Sequence, residues 1–263
     1  MSLALNKASV IRSGRRILDS ADLHCASGRV TAFVGPNGAG KSTALSLLVG
    51  TLKPDEGEAE FEGKQLSAFS APDLARRRAF VPQSPMLTFP FQVHEVVAMG
   101  RTPFYGSPRA RHDESIQAEV MGLLDVASLA ERNYLTLSGG ERQRVNIARA
   151  LAQLWDHEAD GHPWLLLDEP TSALDLKYQL RLMEVLQGLA ARHWGIVVVL
   201  HDLLLAQEYA QDVVLFRDGR VFGAGTQDEL LTPDTVQEVF DLEAPYDWLA
   251  AKAAALERSP SPR

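Results

Sequence analysis

The chain has 263 residues, 46% hydrophobic and 23% charged, and carries a formal net charge of -8. That length can bury the core of one large domain or two small ones, and the acidic balance gives no support to a nucleic-acid partner. Cys25 is the lone cysteine. A disulfide framework or a cysteine-based metal site within one chain is therefore excluded, which suits a reducing compartment.

The start, MSLALNKASVIRSG, lacks the charged head and long apolar run of a secretory signal. No stretch approaches the ~20 continuous apolar residues of a bilayer span, so membrane association would come through a partner. LALNKASV alternates weakly and predicts a strand, with SGRR from Ser13 as its turn. A second strand, RVTAFVG, runs from Arg29 into a glycine-rich loop, and ALSLLVG from Ala44 then reads as helix, stopped by Gly50 and Pro54. Short strands and turns between Gly57 and Phe69 suggest an antiparallel sheet edge. RRRAFVPQ ends a strand near Val81 and carries the basic run Arg76 to Arg78.

The character changes at MLTFPFQVHEVV, a loop rich in proline and aromatics, followed by helical patterns at Ala118 to Leu124 and Glu141 to Leu154. The stretch reads as a helical subdomain inserted into an α/β domain. After the polar break DHEADGHP comes WLLLDEP, a buried strand with paired acids at its tip. Leu176 to Ala190 is helical, GIVVVLHD is a central strand, and DVVLFRDGRVFGAG is a hairpin turning at Asp218-Gly219. The terminal ERSPSPR is expected to be disordered.

Gly35 to Thr43, GPNGAGKST, fits G-x-x-x-x-G-K-[ST] at every fixed position, between a strand and a helix. Gly35, Gly38 and Gly40 let the backbone curl so that successive N–H groups face phosphate oxygens. Lys41 can reach the β- and γ-phosphates, and the Ser42 hydroxyl is a magnesium ligand. Asp168, ending the apolar run, is placed to hold the magnesium. Glu169 beside it costs like-charge repulsion unless it works, and the work available is to polarise the attacking water; the plainer role is a turn cap. Gln83 and His201 are weak signals alone, but each follows a strand that can lie beside the phosphate loop. In LSGGERQR, Ser138 and Glu141 fit a capping box. Gly139 and Gly140 bare the backbone at a helix N-terminus, which is an anion site.

Together these motifs strongly resemble the ATP-binding cassette ATPases, over roughly Leu3 to Phe240. GPNGAGKST is similar to the Walker A motif, WLLLDEP to Walker B, Val81 to Gln83 to the Q-loop, Ser172 to Asp175 to the D-loop, and His201 to the switch histidine. LSGGERQR resembles the signature, the most specific of them. The resemblance implies an α/β fold of the P-loop NTPase type: a RecA-like core with an antiparallel β subdomain (1–84 and 157–240), an inserted helical subdomain carrying the signature (85–156), and a C-terminal segment (241–263).

It also implies ATP and Mg2+ as cofactors and a head-to-tail pair of copies. Gly35, Pro36, Asn37, Gly38, Ala39, Gly40, Lys41, Ser42 and Thr43 of one copy would hold ATP, while Ser138, Gly139 and Gly140 of the other touch the γ-phosphate. Ser42, Gln83 and Asp168 would order magnesium, Glu169 would act as base, His201 would hold or sense the γ-phosphate, and Asp175 would bridge the two sites. Many family members stack a tyrosine on adenine near the end of the first strand; here Ile11 or Arg12 stands in that region. Arg12 can stack on the base, Ile11 can only pack against it, or nothing stacks there.

The same resemblance implies a separate transmembrane permease, received by the loop after Gln83, whose aromatics and Met86 divide between subdomain core and partner contact. TFPFQVHEVVAMGR is similar to the corresponding stretch in importers of ferric siderophores, cobalamin and heme. LAQLW followed by DHEADGHP resembles the lengthened junction of the hemin-importing members, which implies a periplasmic heme-binding protein as an indirect partner. Peripheral attachment to the cytoplasmic face of the inner membrane follows. His157 and His162 are not expected to ligate heme, because cargo crosses through the permease. Tyr246 and Trp248 in PYDWLA either dock back or help a dimer contact. A DNA-repair or chromosome-organising ATPase would need a long coiled coil before the signature, and a translation factor would carry two cassettes. A vestigial binding module would not retain Lys41, Asp168, Glu169 and His201 together.

Overall fold

Strand β1 (Ser2–Arg12) turns back through Ser13 and Gly14, both at positive φ, into β2 (Arg15–Ala26). A two-residue turn of that hand matches strand twist. The computed structural model describes residues 1–84, 87–156 and 161–243. Met86, His157, PYDWLA and the terminal ERSPSPR lie outside the described residues.

After β2 the chain forms β3 (Val30–Val34), α1 (Lys41–Val49), β4 (Glu56–Phe61), β5 (Lys64–Gln65), α2 (Ala71–Arg77) and β6 (Arg78–Val81). The α-helices α3 (Val93–Ala98), α4 (Asp113–Leu123) and α5 (Gly139–Leu154) follow, linked by short 3-10 turns. Then come β7 (Trp164–Leu167), α6 (Leu176–Ala191), β8 (Gly195–Val199), α7 (Leu203–Tyr209), the hairpin β9 (Asp212–Arg217) and β10 (Arg220–Thr226), α8 (Gln227–Leu230) and α9 (Pro233–Phe240).

Two sheets result. One is antiparallel in the order β2-β1-β4-β5. The other has the order β10-β9-β3-β8-β7-β6, with β10 antiparallel at its edge and the other five strands parallel. Its inner strands are buried on both faces, which is why they read as unbroken apolar runs. Val30, Ala32 and Val34 point to a core shared with α5 and α6, together with Leu165, Leu167, Ile196 and Val198. Phe33, Trp164, Leu166, Val197 and Val199 point the other way, to α1 and the antiparallel sheet.

Two sequence expectations need correction. The strand expected from Arg29 begins at Val30 and is the third, because β2 precedes it; the burial of β2 alternates at Leu23 and Cys25 but breaks between Leu18 and Ala21. The stretch expected as a loop at MLTFPFQVHEVV contains α3. There Gln92 and Glu95 cap each other's backbone, and Val93, Val96 and Val97 bury one helical face. Beta-branched residues disfavour helix through lost χ1 freedom, so burial decides this turn rather than propensity.

The helices between β6 and β7 are tied at one corner by ions. Arg101 is 3% exposed and donates to Asp113 at 2.7 Å and to Asp156 at 2.7 and 3.0 Å. Arg109 also donates to Asp156, and both guanidiniums stack on Phe104, at 4.1 and 4.2 Å from the ring centroid. Burial alone would raise the Asp156 carboxyl; the two arginines outweigh it and hold it at about 2, below its ordinary 3.8.

Candidate functional site

Strands β3, β8, β7 and β6 are adjacent and parallel, so their carboxyl ends bring four separate sequence stretches to one edge. Gly35 follows β3, Asp168 and Glu169 follow β7, His201 follows β8 by one residue, and Gln83 follows β6 by one. Two backbone bonds pin this edge: Asp168 N–H donates to Val81 O at 2.9 Å and Leu200 N–H to Phe33 O at 3.1 Å.

The loop from Gly35 to Gly40 curls through positive φ at Gly35, Gly38 and Gly40 and opens directly into α1. At Gly35 a Cβ would lie 2.2 Å from Phe216 O, so only glycine fits between this loop and β9. Lys41 is buried, and its ammonium donates to Gly35 O at 2.7 Å and Pro36 O at 2.9 Å. Burial lowers its pKa, against the opposing pull of Glu169 and Asp168. Ser42 Oγ donates to Asp168 Oδ1 at 3.0 Å. The Asp168 carboxyl is raised chiefly by burial; the Ser42 bond and the charges of Lys41 and His201 oppose this, while Glu169 adds to it.

Glu169 is gripped from both sides. Gln83 Nε2 donates to Oε2 and His201 Nε2 lies against Oε1, each at 2.6 Å. Its backbone sits at φ 49°, a left-handed conformation that costs a non-glycine residue about 1–2 kcal/mol. Such strain gathers where geometry serves function. The turn-capping alternative is present only through the backbone: Glu169 O accepts from Ser172 N and Oγ. The carboxylate itself faces the site.

The donor set fits a magnesium–phosphate group. Ser42 and Asp168 present two hard oxygens in contact, and Gln83 adds an amide nearby. Magnesium takes six oxygens and commonly keeps phosphate and water among them. Among the described residues no group of three histidine, cysteine or acidic side chains forms a metal cage, so a cation here would be completed by substrate oxygens.

The signature segment lies at the tip of α5. Ser138 Oγ accepts from Glu141 N–H at 3.3 Å, and Glu141 Oε2 accepts from Ser138 N–H at 2.8 Å: the reciprocal box expected from sequence. The glycines divide their labour. A Cβ on Gly140 would lie 2.9 Å from Ala173 O, so this glycine is required within the chain; a Cβ on Gly139 would meet only Ala173 Cβ at 3.8 Å. Gly139 is thus the position left for approach from outside. Asp175 caps α6, its carboxylate accepting from Tyr178 N–H at 3.1 Å.

Arg12 sits apart from this cluster. Its guanidinium donates to Ile11 O at 2.9 Å and lies 3.6 Å from Asp55. A cleft of about 730 Å³ beside the phosphate loop is lined instead by Arg15, Arg16, Ile17, Asn37, Arg217 and Phe240. Its apolar lining includes Ile17 and Phe240, which carry no motif in the sequence. Arg12→Ala is expected to leave nucleotide affinity within about twofold, as an exposed pair contributes little; a tenfold loss in an equilibrium binding titration would restore Arg12 to the base. His162 stacks edge-on against His193 at 5.7 Å.

A sheet edge with this loop, paired acids and a capped signature tip defines a P-loop ATPase cassette, and residues 18–172, more than half of the chain, match the ABC transporter family. The chain belongs to that family. It is 45% identical over 231 residues to the hemin import ATP-binding protein HmuV of Gloeobacter violaceus, covering 88% of this chain and 84% of that one. It is 47% identical over 228 residues to HmuV of Streptomyces coelicolor, covering 87% and 79%. Among solved structures it is similar to the dimeric structure of MJ0796, a bacterial ABC transporter cassette, at TM-score 0.72 and 27% identity over 86% of this chain and 99% of that one. A bacterial Atm1-family ABC exporter with ATP bound matches at TM-score 0.71 and 26% identity, covering all of this chain and 42% of that one.

Proposed function

We propose that this chain is the ATP-hydrolysing subunit of a bacterial hemin importer. It would act as a head-to-tail pair on separate permease subunits at the cytoplasmic face of the inner membrane. One observation carries the hydrolytic reading: Glu169 is held between Gln83 and His201 at 2.6 Å on each side, next to the Ser42–Asp168 pair. The cargo rests on the hemin-import relatives, five of them between 42% and 47% identical. Among the described residues no helix is long and apolar enough to cross a membrane, which fits a permease on another polypeptide.

In this reading the loop amides and Lys41 bind the phosphates, with the ammonium giving up loop carbonyls for phosphate oxygens. Magnesium, held by Ser42 and Asp168 with Gln83 close by, would neutralise charge on the β- and γ-oxygens. Glu169 orients a water and accepts its proton as oxygen attacks the γ-phosphorus in line. The bond to the bridging oxygen breaks and ADP leaves. His201 holds the Glu169 carboxylate and the γ-phosphate in register. Positioning and charge are the levers available to such chemistry. Ser138 and Gly139 of the partner copy would close the pocket, giving two shared sites by two-fold symmetry. Pairing on ATP and opening after hydrolysis is a ligand-driven population shift.

Phe89, 66% exposed and beside Phe91, stands in the loop after Gln83 where the permease would dock. The reading is tested with the permease complex in lipid. Heme-loaded binding protein should stimulate its ATPase, and siderophore- or cobalamin-loaded proteins should not. Stimulation by either of the latter alone would reassign the cargo.

A further inference from the structure

The helices between β6 and β7 meet α6 at two ends of a groove. The groove, about 460 Å³, runs between α4 and α6 and is lined by Glu119, Gly122, Leu123, Trp155, Gly188 and Arg192 among others. A Cβ at Gly122 or Gly188 would meet nothing within 4 Å, so the two helices do not pack along this length. At one end Trp155 Nε1 donates to Glu119 at 2.7 Å, and Arg192 lies 5.2 Å from the Trp155 ring centroid. At the other end, nearest the signature tip, Tyr178 Oη donates to Asp125 Oδ2 at 2.9 Å. Arg144 of the signature helix stacks on the Tyr178 ring at 3.9 Å and donates to the carbonyls of Leu124, at 3.0 Å, and of Asp125.

Two facts mark this end as a joint. Asp125 is held at φ 53°, a strained backbone for a non-glycine residue. Tyr178 lies three residues beyond Asp175 and shares its cap, because Tyr178 N–H donates to the Asp175 carboxylate.

We propose that Tyr178 is a positioning residue that latches the signature helix to α6. It would fix the angle at which Ser138 and Gly139 are presented to the partner's nucleotide. The ring carries Arg144 and therefore α5; the hydroxyl carries Asp125 and therefore the end of α4; the backbone amide carries Asp175. One side chain thus links the signature tip to the segment between the two shared sites. The proposal rests on the paired-cassette reading and adds the residue that sets its geometry.

The test uses Tyr178→Phe, which keeps the ring under Arg144 and removes only the hydroxyl, in the full chain carrying Glu169→Gln. ATP-dependent pairing is followed by sedimentation, and ATP binding to the single copy at low protein concentration. The expected result is a pairing midpoint raised about two- to tenfold, the range for one hydrogen bond, with single-copy ATP affinity unchanged. Asp125→Asn, which keeps an acceptor oxygen and tolerates positive φ, should stay near the parent. A Tyr178→Phe midpoint equal to the parent's overturns the latch, as does an equal loss in single-copy ATP affinity. If the parent itself does not pair on ATP, the paired-cassette reading fails instead. The latch is then judged by amide exchange at Leu124 to Val126 in the single copy: faster exchange in Tyr178→Phe supports it, and unchanged exchange overturns it.

Discussion

Glu169→Gln is expected to lower ATP turnover about 10²- to 10⁴-fold while leaving ATP binding intact, the range for losing a positioned general base. The reason is local. Both carboxylate oxygens are engaged, one by Gln83 and one by His201, each at 2.6 Å. A carboxylate so held lies at a fixed point beside the Ser42–Asp168 pair and can accept a proton there. The amide of glutamine keeps the shape and one acceptor oxygen but cannot take the proton of water. It also faces the Gln83 amide with an NH2 group in one of its two orientations. Binding should survive because the proposed phosphate contacts belong to the loop and Lys41. The strained φ of 49° at Glu169 remains in the variant, and glutamine keeps a side chain of the same shape there. Steady-state phosphate release and single-turnover hydrolysis check this. Turnover within threefold of the parent would remove Glu169 from the role of base.

Asp156→Ala should cost about 3 kcal/mol of folding stability, the low end for breaking a buried ion pair. Arg101 is 3% exposed, and Asp156 supplies two of its hydrogen bonds. Removing that carboxylate leaves a buried guanidinium with Asp113 and the Ala152 carbonyl, which places the loss at the lower end of the range. The sign of the pH dependence follows from the depressed carboxyl. Its stabilisation is complete above its ordinary 3.8 and is lost as pH falls through about 2. The gap in stability between the parent and Asp156→Asn should therefore be full at pH 7 and shrink between pH 4 and pH 2. Urea unfolding at several pH values measures it. A gap that is absent at pH 7, or that grows in acid, would contradict the account.

The site was legible because its parts are short and each demands special backbone. GPNGAGKST needs positive φ at its glycines, WLLLDEP ends a doubly buried strand in acids, and LSGGERQR carries its own cap. Those demands are local, so contiguous letters carry them. Gln83 and His201 gained meaning only through the order β3-β8-β7-β6, which sets them on either side of Glu169.

What stayed hidden depends on contacts between distant residues. α3 is built from valines whose burial outweighs their weak helical preference. β2 has a broken alternation that masks its buried face. Arg101 looks like any surface arginine until Asp113 and Asp156 close on it, and Tyr178 finds Asp125 across 53 positions. Arg12 lies near the expected base contact along the chain, while the cleft beside the phosphate loop is walled by the start of β2 and by Phe240, a placement that only the fold reveals.

The most direct measurement of the shared pocket is an inter-copy cross-link. Asn37, within the phosphate loop, and Arg142, in the first turns of the signature helix, are both exposed, and Cys25 is buried. Copies carrying Asn37→Cys are mixed with copies carrying Arg142→Cys, both in the Glu169→Gln background. The account predicts a disulfide-linked mixed pair that forms with ATP and not with ADP. A protein that stays single on ATP, or pairs with these two positions too far apart to link, would contradict it.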